Sequence, residues 1–111
     1  KEAGARGLMS SYNQINGVWS GVCKDALTTV LREEWKFAGI VMTDWDASHE
    51  GLEADRSIDA GITMLMAGSR RQRKALRRAL QSGRLDEAMA RERAVKNVQV
   101  MLLHQACQKK R

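Results

Sequence analysis

Hydrophobic positions fall along this chain in short unbroken runs and in stripes at helical spacing, divided by polar breaks. Residues 7–12 read as a short strand of mixed pattern. Residues 13–17 (Asn-Gln-Ile-Asn-Gly) read as a loop, because Asn and Gly tolerate left-handed backbone and make local side-chain bonds. Val22, Ala26, Leu27, Val30, Leu31 and Trp35 recur at helical intervals, which predicts a helix over about 22–35 with these residues on one face. Gly39 breaks that rhythm. Residues 40–43 (Ile-Val-Met-Thr) are too few for a helix and apolar on both faces, as a strand in a covered parallel sheet would be. The polar residues 44–48 end it. A weaker helix is expected over 50–60, closed by Gly61 where a left-handed cap residue is wanted.

A second apolar run, 62–66, has strand length. Ser69 can cap a basic helix whose Ala75, Leu76, Ala79 and Leu80 form a narrow apolar stripe, with Gly83 ending it. Asp86 can cap a last helix running to about residue 106, with Met89, Val95, Val98, Leu102 and Leu103 available for burial, and 108–111 read as a frayed tail. Strands separated by helices give parallel crossovers and an α/β class. Three parallel strands alone make a small sheet with two bare edges, an aggregation hazard, which points to a slice of a larger sheet.

Composition sharpens this only in places. Apolar residues make up 43% and charged residues 29% of the 111, an ordinary globular balance that argues against disorder. No apolar run approaches ~18 residues, so no membrane-spanning segment is expected. The chain starts at Lys1 rather than Met and has no proline where average usage of ~5% would give about five or six. That start is expected of a processed chain or a segment of a longer one, and no charged-then-apolar leader opens it.

Charge is uneven. Residues 1–68 carry six Lys/Arg and ten Asp/Glu, a net of −4, and residues 69–111 carry thirteen and three, a net of +10. The cluster Arg70, Arg71, Arg73, Lys74, Arg77, Arg78 has no aromatic residue interleaved for base stacking and matches no nucleic-acid-binding signature. It reads as a solvated helix face, so neither nucleic acid nor membrane is expected as a partner. Cys23 and Cys107 match no metal or redox spacing, and His49 and His104 show no ligand pattern, so no metal or cofactor is expected.

Ligands of parallel α/β folds gather at the carboxyl ends of the strands. Residues 9–13, 43–46 and 66–69 qualify, and only the second offers an acid directly off a buried strand. Asp44 follows Val41 and Met42, so the sheet should hold its backbone, and Trp45 beside it offers a flat platform on which sugar rings stack. Carboxylate plus aromatic is a carbohydrate-site pattern, although an Asp at a strand end also serves as a helix cap or turn former. Asp46, Glu50, Glu53, Asp55 and Asp59 read as a solvated helix surface. No phosphate loop, serine elbow or metal cluster is present.

At these residues the sequence resembles glycoside hydrolase family 3, the family of β-glucosidases, β-xylosidases and β-N-acetylglucosaminidases. The stretch Val30-Leu-Arg-Glu-Glu-Trp-Lys-Phe-Ala-Gly-Ile-Val-Met-Thr-Asp-Trp-Asp-Ala47 fits the signature around that family's catalytic aspartate. Met9-Ser-Ser-Tyr-Asn-Gln-Ile-Asn-Gly17 is similar to its Met-x-x-Tyr-Asn-x-x-Asn-Gly segment, and Asp59-Ala-Gly-Ile-Thr-Met-Leu-Met66 resembles its last-strand segment more loosely. The resemblance implies part of a (β/α)8 TIM-type barrel, strands six to eight with flanking helices, over residues 1–106, followed by a basic tail over 107–111. It implies that Asp44 is the catalytic nucleophile of a retaining β-glycosidase, that Tyr12 lies near it, and that Trp45 and Met9 line the sugar site. The substrate implied is a β-linked glycoside or oligosaccharide, and the remainder of the barrel is an implied partner.

The sequence departs from the family at Thr63 and near Leu65, where acids are usual, and at Met66-Ala-Gly68, where Met-Pro-Gly is usual. The acid/base that a retaining enzyme also needs comes, in most members, from a later domain, and in the N-acetylglucosaminidase branch from a His-Asp pair on an earlier loop. Neither region has a counterpart here, so the isolated chain is expected to be inactive or nearly so. The alternative is a non-catalytic carbohydrate-binding or assembly module of the same fold.

Overall fold

The computed structural model describes residues 4–45, 47 and 54–109. Strand β1 (Gly7–Met9) pairs in parallel with β4 (Ile40–Met42), with Leu8 opposite Val41 and Met9 opposite Met42. A π-type helix, Asp25–Glu34, crosses between them. Beyond β4 lie helices α1 (Ala54–Ala60), α2 (Arg70–Gln81) and α3 (Glu87–Gln108). The expected order of parallel strand, helix and strand is therefore present.

Residues 13–17 are not an irregular loop. They build most of a small antiparallel hairpin, β2 (Gln14–Ile15) with β3 (Val18–Trp19). Its two-residue turn is Asn16-Gly17, at φ 50° and 81°, the doubly left-handed geometry that suits the twist of paired strands.

The run 62–66 lies beside β4, but its regular ladder shrinks to a single parallel bridge between Met42 and Met64. Side chains take over the rest. Thr63 Oγ1 accepts from the Val41 N–H at 3.1 Å and donates to the Val41 carbonyl at 3.2 Å. Thr43 Oγ1 accepts from the Met66 N–H at 2.9 Å. Hydroxyls standing in for backbone partners keep the segment parallel and adjacent without forming a full strand.

The main core gathers Leu27 and Leu31 of the π-type helix with Val41, Ala60 and Ile62, and Phe37 and Leu65 pack on it. A second cluster joins Ile58, Ala79 and Leu85, with Leu65 touching both. Trp35 does not share the buried face expected for it, being 62% exposed. The helix closes with i→i+5 bonds such as Trp35 N–H to Val30 O at 2.9 Å, so a stripe spaced for 3.6 residues per turn drifts off the core by its end.

The described part of the expected 50–60 helix starts at Ala54. Ser69 caps α2 as expected, in a full capping box with Gln72, and Asp86 caps α3. Helix α3 runs two residues past the expected end, to Gln108. Its burial also differs from expectation. Val95, Val98, Leu102 and Leu103 are exposed, while Arg93 is buried and Asn97 Nδ2 donates to the Thr63 carbonyl at 2.7 Å. The helix therefore turns a mixed stripe inward, with Met89 and Ala90 packed on the second cluster and Arg93 and Asn97 donating to the carbonyls of Ile58 and Thr63, and Leu80 of α2 is exposed.

Candidate active site

The site forms where β1, β4 and the 62–66 segment end together. Beyond β1, the Ser10 N–H donates to the Met42 carbonyl at 2.9 Å and extends the pairing by one residue. The chain is then held by Ser20, whose hydroxyl accepts from the Ser11 N–H at 3.1 Å and donates to the Ser11 carbonyl. This clamp turns Tyr12 away from the sheet, so that its hydroxyl donates to the Trp45 carbonyl. Tyr12 and Trp45, 33 residues apart in sequence, are thereby joined across the ends of two strands.

Asp44 directly follows Thr43, which is almost fully buried and bonded on two sides: its N–H donates to Met64 O at 3.0 Å, and its hydroxyl accepts from Met66. Asp44 Oδ1 accepts from the Trp45 N–H at 2.6 Å, and the Asp44 carbonyl accepts from Ala47 at 3.2 Å. The carboxylate thus also shapes the turn that leaves the strand.

Met9, Tyr12 and Trp45 are 57%, 50% and 63% exposed, which is open enough for a ligand to reach all three. Met9 lies on β1 beside Met42, two positions before Asp44. The acids Asp46, Glu50 and Glu53, with His49, lie outside the described residues. Asp59 is half-exposed and pairs with Lys24 at 3.3 Å. Asp55 is not a solvated residue as expected but a buried one, with Arg84 Nη2 3.7 Å from Oδ2. An acid taken out of water needs such a counter-charge. Among the described residues, no group of three His, Cys, Asp or Glu could hold a metal ion.

One positioning residue was not singled out in the sequence. Arg32 Nη1 donates to the carbonyls of Phe37 at 2.8 Å and Gly39 at 2.6 Å, Nη2 reaches Gly61 O at 3.4 Å, and the guanidinium lies over the Phe37 ring. It fixes the segment that enters β4. Burial, and then the charge of Arg93, lowers the pKa of this guanidinium from its usual value, with Glu92 acting the other way. The available signal was its place as the basic residue of the 30–47 motif.

The profile of the Glycosyl hydrolase family 3 N terminal domain matches residues 2–100, nearly the whole chain. The chain belongs to glycosyl hydrolase family 3. A beta-glucosidase of Rhizobium radiobacter is 47% identical over 73 residues, covering 66% of this chain and 9% of the relative. Among solved structures, the GH3 beta-glucosidase of Bifidobacterium adolescentis superposes with a TM-score of 0.81 at 34% identity, over 91% of this chain and 14% of that one. Beta-glucosidase 3B of Thermotoga neapolitana, in complex with alpha-D-glucose, gives 0.74 at 30% identity over 82% and 13%. The family 3 chain described here thus spans about a tenth of the length of its relatives. Its described part is an α/β fragment with parallel strands, and its solved neighbours are TIM-barrel-like.

Proposed function

We propose that this chain is the nucleophile-bearing part of a retaining β-glycosidase of β-glucosidase type, corresponding to strands six to eight of a (β/α)8 barrel. In this reading residues 1–106 are the C-terminal part of the barrel domain and 107–111 a basic tail. The observation that carries it is Asp44, an acid leaving a strand bonded on both edges, beside the exposed side chains of Trp45 and of Tyr12, whose hydroxyl donates to the Trp45 backbone carbonyl.

The geometry suits the chemistry. A retaining enzyme needs two carboxyl groups about 5–5.5 Å apart, one nucleophilic and one acid/base. Asp44 attacks the anomeric carbon of a β-linked glycoside as the glycosidic C–O bond breaks and the acid/base protonates the departing oxygen, which leaves a glycosyl-enzyme. Water, deprotonated by the acid/base, then releases the sugar. Holding the attacking oxygen in line is worth a large part of such a barrier, and the bonds on Thr43, Asp44 and Trp45 supply that hold. Trp45 and Met9 present apolar surface to the sugar. Tyr12, anchored on the Trp45 carbonyl, keeps the turn in place. The acid/base belongs to the remainder of the parent architecture, so the isolated chain turns over an aryl β-glucoside at a negligible rate. The non-catalytic module finds no support in the relatives, which are named for hydrolases.

The test is a chimaera in which residues 2–100 replace the matching segment of the Bifidobacterium adolescentis enzyme. The chimaera should hydrolyse an aryl β-glucoside, and Asp44→Asn should lower kcat by roughly 10⁴-fold with its thermal unfolding unchanged. A folded Asp44→Asn chimaera that keeps its activity would overturn the assignment. Normal turnover by the isolated chain would overturn the dependence on a second carboxyl from elsewhere.

A further inference from the structure

Residues 69–111 hold thirteen Lys/Arg against three Asp/Glu, and the nine of them on α2 and at 91–96 of α3 fall into two groups. On α3 they are matched: Arg91 meets Glu87 at 2.9 Å, and Arg93 and Lys96 share Glu92 at 3.2 and 3.6 Å. On α2, Arg70, Arg71, Arg73, Lys74, Arg77 and Arg78 are all exposed and make no ion pair or side-chain hydrogen bond among the described residues.

At about 3.6 residues per turn these side chains cover one continuous arc centred on Arg70, Lys74 and Arg77. Gln72, Leu76 and Ala79 occupy the opposite, core-facing side. The cationic arc borders a shallow groove of about 500 Å³ that reaches Gln81. Like charges three and four residues apart on a helix repel one another, and nothing described within the chain relieves them. An external polyanion would.

The helix that carries the arc begins near the candidate site. In the first turn of α2, Gln72 Nε2 donates to Met66 O at 3.0 Å, and the Met66 N–H donates to the Thr43 hydroxyl at 2.9 Å, one residue before Asp44. The first turn of α2 therefore lies against these strand ends by its core-facing side, and the cationic arc begins on the outer side of that same turn and follows the helix for about 18 Å at ~1.5 Å per residue. All but Lys74 are arginines, whose planar forks pair bidentately with carboxylate and with tetrahedral oxyanions such as phosphate. Residues 69–111 contain no Phe, Trp or Tyr on which single-stranded bases could stack, and the arc itself has no apolar side chain to enter a bilayer.

We propose that the exposed face of α2 binds an acidic polysaccharide, a chain of uronate or sulfated sugars, and holds it beside the strand ends that carry Asp44. The choice of a polysaccharide rests on the glycosidase reading, whereas the charge pattern stands without it.

Binding of the 111-residue chain to polygalacturonate, a neutral β-glucan and a 20-base-pair DNA duplex, followed at 50 and 200 mM salt, tests the proposal. Polygalacturonate should bind, and its affinity should fall on the order of a hundredfold across that range if four to six cations release counterions. The neutral glucan should show no such salt dependence. R70Q/R73Q/K74Q/R77Q should weaken polygalacturonate binding at least tenfold with helix content unchanged by circular dichroism, and the corresponding Glu variant should weaken it further. Retention within twofold in the folded Gln variant, or tighter binding to the duplex than to polygalacturonate at equal charge concentration, would overturn it. Asp44→Asn should bind as the parent chain does. An Asp44→Asn chimaera that keeps its activity therefore counts against the glycosidase reading alone, and loss of the α2 effect counts against this one alone.

Discussion

Thr63→Val removes one hydroxyl at nearly constant shape and so isolates what holds the third strand position in place. The native hydroxyl accepts from the Val41 N–H at 3.1 Å and donates to the Val41 carbonyl at 3.2 Å. Valine can do neither. The carbonyl remains satisfied, because it also accepts from Thr63 N at 2.8 Å and Met64 N at 3.1 Å. The N–H is left with no acceptor. Val41 is 0% exposed and Thr63 6%, so water does not reach it easily.

An orphaned buried donor costs about 1–3 kcal/mol, and the better burial of a methyl offsets part of that, leaving roughly 1.5 kcal/mol. With a urea m-value of about 1.5 kcal/mol/M, the midpoint should fall by roughly 1 M at unchanged slope. Thr63→Ser is the control: it keeps the hydroxyl and loses a methyl group, worth about 0.8 kcal/mol. Amide hydrogen exchange separates the two, since exchange at Val41 should accelerate selectively in the Val variant. A Val variant as stable as the parent, or a Val41 amide protected as before, would refute the view that this hydroxyl replaces a ladder bond.

Two further substitutions probe the entry to β4. A Cβ on Gly39 would lie 2.3 Å from Arg6 O, so Gly39→Ala must separate β1 from β4. Urea unfolding should show a loss at or above the upper end of about 1–3 kcal/mol, and an unchanged midpoint would contradict the close approach. Arg32→Lys exchanges a fork serving three carbonyls for a single ammonium and should cost roughly 2 kcal/mol, read from the same transition. A cost below 0.5 kcal/mol would mean that the charge alone suffices.

Much of the architecture was legible because apolar spacing and capping agreed. The positions of β1 and β4, the caps Ser69 and Asp86 and the turn at Gly61 all follow from local residue chemistry. The hairpin was not read, although Asn16-Gly17 is a strong two-residue turn signal. Its strands hold two residues each, too few for an alternating pattern to register. The apolar face of α3 misled for a different reason: periodicity shows that a stripe exists, not which stripe turns inward. Here the carbonyls of Ile58 and Thr63 select Arg93 and Asn97, leaving Val95, Val98 and Leu102 outside.

The candidate site divides in the same way. Residue type points to Asp44 and Trp45, and the family resemblance adds Tyr12 and Met9, but neither says what keeps Asp44 still. Register does. One edge of β4 is used by β1, through Ile40 N–H to Arg6 O and Ser10 N–H to Met42 O, both at 2.9 Å. The other edge is used by residues 63–66 through Val41 and Thr43. Alternate residues of the strand therefore face opposite neighbours, and Asp44 leaves it at the point where both neighbours have just made their last bonds. Displacement of a reacting group by about 1 Å can cost on the order of 10²-fold in rate. The threonines beside Asp44, which contribute nothing to bond breaking, thus bear on the proposed chemistry as directly as the residues that face the sugar. Thr63 is also where the sequence leaves the family's usual acid. With a hydroxyl there, the Val41 N–H has an acceptor without a buried charge, and so the departure keeps the strand bonded on the edge from which Asp44 emerges.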